Sequence, residues 1–133
     1  MTDRTTGARG FTLLVVRVVV ALIFITHGWP KLAEPSGTMG FFSSLGLPGF
    51  LAPVVGVVEV GAGLMLLVGL FARPAAAALI AVIAGALVLV QIPHGIGAGL
   101  ERDLLIAASL LLLIAHGPGA FALRRTLRSG APD

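Results

Sequence analysis

Cysteine is absent from this chain of 133 residues, and charged residues are scarce, at 11% of the total. Without cysteine, the chain itself cannot carry out thiol–disulfide chemistry, ligate an iron–sulfur cluster or form a cysteine-based zinc site. Any redox role therefore requires a bound cofactor or the thiols of a partner protein. Basic and aromatic residues are not interleaved, so we predict no nucleic acid partner.

The shortage of charge is matched by an excess of apolar residues. Hydrophobic residues make up 57% of the chain, whereas a soluble domain is roughly half apolar and about a quarter charged. The few polar residues cannot cover a surface that faces water. The sequence therefore predicts an integral membrane protein, with membrane lipid as its first partner.

Four apolar segments predict membrane-spanning helices. They run from Phe11 to about Trp29, from Gly49 to about Phe71, from Ala75 to about Pro93, and from Asp103 to His116. Between the first two, apolar residues at 39, 42 and 45 recur on one side of a short segment. This spacing predicts a short helix in the membrane interface, with its ring-bearing face toward lipid.

The predicted fold class is all-α, a four-helix integral membrane bundle with an interfacial helix after the first span. Residues 1–10 form a predicted N-terminal tail, 11–119 the transmembrane domain and 120–133 a basic tail. Lysine and arginine outside the spans indicate orientation. Six lie on one predicted side, namely Arg4, Arg9, Arg73, Arg124, Arg125 and Arg128, against Lys31 and Arg102 on the other. Both tails are therefore predicted to be cytoplasmic.

Two ionisable residues, Arg17 and Glu59, fall inside the first two spans. Charges at bilayer depth are costly and usually face a partner or a cavity within the protein. With the helix ends placed near His27 and Gly49, both lie about 15 Å below the outer boundary. We predict that they face each other. The pair is either a structural ion pair or part of a polar pocket that binds a ligand head group or relays protons. In a third interpretation, Arg17 snorkels to the cytoplasmic surface.

A second set of polar residues collects at the predicted outer surface. Its members are His27, Trp29, Lys31, Glu34, His94, Glu101 and Asp103. Histidine and carboxylate groups there can exchange protons with a quinone head group or bind a metal. No two show metal-ligand spacing, so no metal site is predicted. Most are equally explained as polar residues where helices meet water, but the glycine loop between His94 and Glu101 lets both turn toward the bundle.

An ordered set of short motifs resembles the DoxX family of small four-helix bacterial membrane proteins. The set comprises Arg17, Gly28-Trp-Pro-Lys31-Leu32, Leu45-Gly-Leu-Pro48, Glu59-Val-Gly-Ala-Gly-Leu, Leu67-Val-Gly-Leu-Phe-Ala-Arg73, His94, Glu101 and Gly117-Pro-Gly119. The similarity covers about residues 11–125. Members often end in serine, leucine and aspartate after Gly-Pro-Gly, where this chain has Ala122-Leu123-Arg124. The resemblance therefore supports no acidic role at that end.

The resemblance implies a redox context and a bacterial plasma (inner) membrane location. Relatives include the membrane subunit of a thiosulfate:quinone oxidoreductase and proteins linked to oxidative-stress and thiol defence or to quinone and catechol resistance. Carried over by position, the candidate cofactor-binding residues are Arg17, Lys31, Glu59 and His94, and the cofactor is a quinone. As candidate catalytic residues, Arg17 and Glu59 supply a buried polar contact, while His94 and Glu101 handle protons. Soluble redox proteins are expected partners.

Two other functions fit the same residues, and catalysis itself is left open. A non-enzymatic scaffold would anchor soluble partners through the basic tail, with Arg17 and Glu59 purely structural. A transporter for a small solute is the third possibility. Four short helices leave little room for a gated path in a monomer, so a transporter would have to be a homo-oligomer.

Overall fold

A computed structural model describes the backbone of residues 2–123 and the side chains of residues 7–123. Five helices dominate it: α1 (Thr2–Ala33), α2 (Pro35–Ser44), α3 (Leu51–Val68), α4 (Ala72–Ala86) and α5 (Ala98–His116). Beyond α4 the helix continues through a π-helical turn, Leu87–Gln91, and a further short helix, Ile92–His94. Within residues 2–123 there is no strand, so the all-α prediction is confirmed.

Three helical segments are long and apolar enough to cross a membrane by length and composition: Gly7–Ala33, Leu51–Val68 and Ala72–His94. α5 has 19 residues but carries Glu101, Arg102 and Asp103 near its start. Many large apolar side chains on these helices stay exposed, among them Val57, Leu105 and Leu111. Such a surface suits lipid and would be unstable in water.

The four long helices close into a bundle. α1 packs most extensively on α3, α3 packs on α4, α4 on α5, and α5 returns to α1. The core between them contains Phe24, Leu66, Leu79 and Leu110, each almost fully buried. A single tight turn between α3 and α4 makes the chain fold back. Gly69 ends α3 with φ +77°, and Phe71 adopts φ 49° before α4 begins.

The start of α1 and the end of α5 lie together. The Ala120 backbone N–H donates to the Gly10 carbonyl at 3.0 Å, and an Arg9 Nη2 donates to His116 Nδ1 at 2.6 Å. We call this the basic end, defined by Arg9, Arg73 and His116. The opposite end, where α1 finishes and α3 starts, is the cavity end. That the basic end faces the cytoplasm stays a prediction.

The structure moves two predicted boundaries. Residues 2–10, expected to form a tail, are the first turns of α1. Residues 120–122, assigned to the basic tail, pack against the bundle, because Ala122 is buried and Ala120 bonds to Gly10. The remaining tail arginines, Arg124, Arg125 and Arg128, lie outside the described residues.

The short helix after the first span is present as α2. It has no fully buried residue, as expected for an interfacial helix. The prediction that its ring-bearing face points to lipid was wrong for Phe42 and for Leu45 just beyond it, because both line a cavity in the bundle. The reason is that α2 folds back over α3, which it contacts more than it contacts α1.

Candidate functional site

A partly open cavity of about 710 Å³ lies at the cavity end of the bundle. Its walls come from every long helix and from α2, and they are mostly apolar, with Phe24, Phe41, Phe42, Val58, Ile83 and Ile106 among them. The polar side chains that line it are His27, Lys31, Glu59, Gln91, Arg102 and Asp103. Ligand pockets typically measure roughly 300–1,000 Å³ and combine apolar walls with a few placed polar groups. This cavity has both properties.

Lys31 and Glu59 form the first polar pair of the cavity. Lys31 Nζ lies 3.2 Å from Glu59 Oε1 and donates a hydrogen bond to Oε2, also at 3.2 Å. It donates a further bond to the His27 carbonyl at 3.0 Å. The Glu59 side chain is 6% exposed and that of Lys31 is 18% exposed. The carboxylate is thus held inside the bundle with its charge neutralised by a neighbour that reaches the surface.

Two glycines bring this pair together. A Cβ on Gly28 would lie 2.8 Å from Glu59 Cβ, and one on Gly56 would lie 2.8 Å from Lys31 Cβ. Both glycines are therefore required for the close crossing of α1 and α3. In lipid, where helices gain no hydrophobic drive for association, small residues permit such close approach.

His27 lies on the same wall, one turn before Lys31. Its Nδ1 donates to the Ile23 carbonyl at 2.6 Å. Because a carbonyl can only accept, this bond places the ring proton on Nδ1. In the neutral ring Nε2 is then an acceptor, beside the Lys31–Glu59 pair.

Gln91, Arg102 and Asp103 form the second polar group of the cavity. Gln91 Nε2 donates to Asp103 Oδ2 at 3.1 Å, and Arg102 Nε donates to Oδ1 at 3.0 Å. The Asp103 side chain is 3% exposed, whereas that of Arg102 is 52% exposed. Both carboxylates of the cavity are therefore buried, and each is paired with a cation nearer to the surface.

The predicted Arg17–Glu59 pair does not form. Arg17 is buried, but its Nη1 donates to the Pro118 carbonyl at 2.8 Å and its Nη2 to the Phe121 carbonyl at 3.3 Å. These partners lie near the basic end, and Glu59 lies at the cavity end with Lys31. Arg17 does not line the cavity.

The error came from the position of the helix ends. α1 continues past His27 and Pro30 to Ala33, which places Arg17 about 24 Å along the axis from that end. Glu59 lies only about 12 Å from the first residue of α3, Leu51. The two charges are buried as expected, but at different depths.

His94 and Glu101 also stay apart from the cavity. Both side chains are exposed, and neither lines the cavity wall. His94 Nδ1 donates to the Val90 carbonyl at 2.5 Å, within its own helix. Among the hydrogen bonds and ion pairs of residues 7–123, none joins these two side chains. Their roles with protons or a cofactor remain untested predictions.

Sequence reasoning missed Gln91 entirely, and it placed Asp103 in the outer polar set without predicting that it lines the cavity. The available signal was the position of Gln91, a polar side chain directly after the apolar run Ala84–Val90. A polar residue in such a run is expected to find a partner inside the bundle. Lys31, a predicted cofactor contact, does line the cavity, although contact with a cofactor is untested.

The fold and the cavity together define a multi-pass helical membrane protein with buried ion pairs around an internal pocket. Residues 12–92 match the model of the DoxX family, and the chain belongs to this family. It is 33% identical to the inner membrane protein YqjF of Escherichia coli over 118 residues, covering 86% of this chain and 91% of YqjF. No solved structure matches the chain.

Two further relatives bear on location and function. The inner membrane protein YphA of Escherichia coli is 36% identical over 129 residues, covering 90% of this chain and 92% of YphA. A Bacillus subtilis protein named "Putative oxidoreductase CatD" is 31% identical over 110 residues, covering 83% of this chain and 82% of CatD. With its spanning helices, the protein is a multi-pass protein of the bacterial inner membrane, as predicted.

Proposed function

We propose that this protein is a redox-associated membrane subunit that binds a quinone-like ring in the cavity. The observation that carries the proposal is the buried Lys31–Glu59 pair in the wall of an otherwise apolar pocket. An apolar ring fits such walls, and its carbonyl needs a hydrogen-bond donor. Lys31 has three N–H donors, so it can serve Glu59, the His27 carbonyl and a ligand. The name of the relative "Putative oxidoreductase CatD" supports a redox role.

The charges around the cavity favour a neutral ligand. Lys31 balances Glu59, and Arg102 balances Asp103. A charged ligand would lose its hydration without gaining an unpaired counter-charge, and burying an uncompensated charge is strongly unfavourable. A quinone carries no charge and exposes only its carbonyl oxygens as polar atoms. In this proposal Glu59 and Lys31 keep their predicted role as ligand contacts, and Arg17 has a structural one.

Binding can be followed through the only tryptophan, Trp29, which lies two residues before Lys31. We expect menadione, a naphthoquinone, to quench its fluorescence saturably in protein reconstituted into nanodiscs. Glu59→Gln leaves Lys31 without its counter-charge and should weaken binding about tenfold, because a hydrogen bond to a charged group contributes about 1.5–3 kcal/mol. Glu101→Gln makes the same charge change on an exposed side chain and should leave binding intact.

A steric pair of variants tests the location. Ala86 lines the cavity and Ala84, on the same helix, does not. Ala86→Phe should abolish saturable quenching, and Ala84→Phe, which adds the ring to an exposed position, should preserve it. Quenching that rises linearly with menadione in the wild type, or equally in both variants, would overturn the proposal because it would indicate partition into lipid.

A non-enzymatic scaffold is the second candidate, and the basic end favours it. Arg9, Arg73 and His116 are exposed there. Among the side chains of residues 7–123, no carboxylate accompanies them. Such a surface suits acidic soluble partners. A scaffold predicts that Lys31→Leu combined with Glu59→Leu keeps the function, since a buried ion pair can be replaced by apolar residues. The quinone proposal predicts a folded protein that no longer binds menadione.

A further inference from the structure

The second polar group lies across the cavity from the first polar pair. Glu59 is on α3 and Asp103 on α5, and α4 packs between these two helices. Both carboxylates line the same cavity while bonding to different cations. A ligand between them therefore meets a polar contact on two sides and apolar walls elsewhere.

The π-helical turn is what places Gln91 in this second group. The Ile92 N–H donates to the Leu87 carbonyl, five residues back, in place of the usual four. Because a π-helical turn spaces its residues differently from a regular helix, it changes the direction in which its own side chains project. Gln91 is the last residue of this turn, and it lines the cavity and reaches Asp103 on α5. π-helical turns are frequent at functional sites.

Gly99 makes room for the Gln91 amide. A Cβ on Gly99 would overlap Gln91 Oε1 and lie 3.0 Å from its Cδ. The Gln91 amide can therefore occupy this position only because residue 99 has no side chain, and its bond to Asp103 holds it there. One N–H of Nε2 is used on Asp103, and the amide's second N–H is a further donor.

We propose that the cavity recognises a ring with hydrogen-bond acceptors on two opposite sides, the chemistry of a para-quinone. Lys31, held in place by Glu59, donates to one carbonyl, and Gln91, held in place by Asp103, donates to the other. Gln91 is then a specificity-determining residue, and the π-helical turn positions it. This inference rests on the proposed function and adds to it the two-sided recognition of the ligand.

The test compares two bicyclic ligands by calorimetric titration in nanodiscs. Menadione has carbonyls on both sides of one ring, and tetralone has a single carbonyl. The wild type should bind menadione about fivefold to tenfold more tightly, the difference expected for one hydrogen bond. Gln91→Leu should remove this preference, and Thr12→Val, which removes an exposed polar group outside the cavity, should keep it.

A second variant changes the position of Gln91 without altering any polar group. Gly99→Ala should displace the amide and reduce the preference for menadione. Its control is Gly97→Ala, where a Cβ meets nothing within 4 Å and φ is −175°. If the wild type binds both ligands equally, or if Gln91→Leu and Gly99→Ala leave the preference unchanged, the two-sided recognition is wrong while the proposed function stands. If menadione does not bind at all, both fall.

Discussion

The Arg17 guanidinium ties the first helix to the segment after the last one. Its bonds to the Pro118 and Phe121 carbonyls satisfy backbone groups that follow the end of α5. Arg73 serves the same region, because its Nε donates to the Ile114 carbonyl in the last turn of α5 at 2.9 Å. The final carbonyls of a helix have no partner within it. Little water reaches these carbonyls in a lipid environment, so the two arginines supply the hydrogen bonds that water would otherwise donate to them.

Replacing Arg17 should therefore destabilise the protein without touching the cavity. We expect Arg17→Leu to lower the free energy of unfolding by roughly 2–5 kcal/mol, because two partly buried carbonyls lose their donor. Arg17→Lys should recover part of this loss, since an ammonium lacks the planar fork that reaches two carbonyls. Unfolding in detergent, followed by circular dichroism, measures both.

Arg9→Gln is the matched control for these variants, because Arg9 is exposed at the same end. It should change stability far less than Arg17→Leu. Equal effects would mean that net charge at the basic end, and not the buried bonds, stabilises the fold.

The sequence predicted that Arg17 is buried, because an arginine within an apolar run has few alternatives. It could not predict the partners, since every residue carries a carbonyl and nothing in the pattern marks those of Pro118 and Phe121. The apolar pattern points to Glu59, the carboxylate in the neighbouring span, in their place. It also ends the first span at about Trp29, before Lys31, so it does not indicate the true partner of Glu59.

At the scale of helices, the glycines of α3 are not equivalent, because some lie in the crossing with α1 and others face open space. Gly56 faces Lys31 and the Gly28 carbonyl, whereas a Cβ on Gly61 would meet nothing within 4 Å. Gly56→Ala should cost roughly 1–3 kcal/mol of stability, because the helices must separate. It should also weaken menadione binding, since Lys31 and Glu59 move apart.

Gly61→Ala is the control within the same helix. Because it removes a glycine from an open helical position, it should stabilise the protein by about 0.5–1 kcal/mol. Thermal unfolding of the two variants side by side checks the sign. A stabilising effect of Gly56→Ala would contradict the close crossing.

Hydrophobic runs predicted the all-α class and the order of the apolar helices but not where α1 ends. The apolar run thins out near Trp29, so the sequence predicts that the first span ends there. The helix continues because Lys31 neutralises Glu59 and the Glu34 N–H still bonds to the Pro30 carbonyl at 2.9 Å. The π-helical turn after α4 has no sequence signature of this kind, since residues 87–90 are apolar residues that an ordinary membrane helix would also contain.

For the whole molecule, the lack of cysteine makes the predicted orientation directly testable. Ser36 in α2 and Gly7 in α1 are exposed at opposite ends of the bundle. In intact cells a membrane-impermeant maleimide should label Ser36→Cys and leave Gly7→Cys unlabelled. Permeabilisation should expose Gly7→Cys. The physical basis is the excess of lysine and arginine that the sequence predicts on the cytoplasmic side.

Leu123→Cys supplies the internal check on topology. Because Gly10 bonds to Ala120, position 123 should behave like position 7. Labelling of Gly7→Cys in intact cells would reverse the orientation. Labelling of Leu123→Cys alone would contradict the contact between the two ends of the described chain.

The hydrogen bonds of Arg17 to Pro118 and Phe121 can form only late in biosynthesis. A ribosome delivers α1 to the membrane long before Pro118 and Phe121 exist, so the guanidinium enters the bilayer ahead of the carbonyls that will receive it. Until the last residues emerge, the nascent protein holds a buried cation without its native acceptors. A message truncated before Pro118 should thus yield a product that membrane proteases remove, even though every long helix has been made.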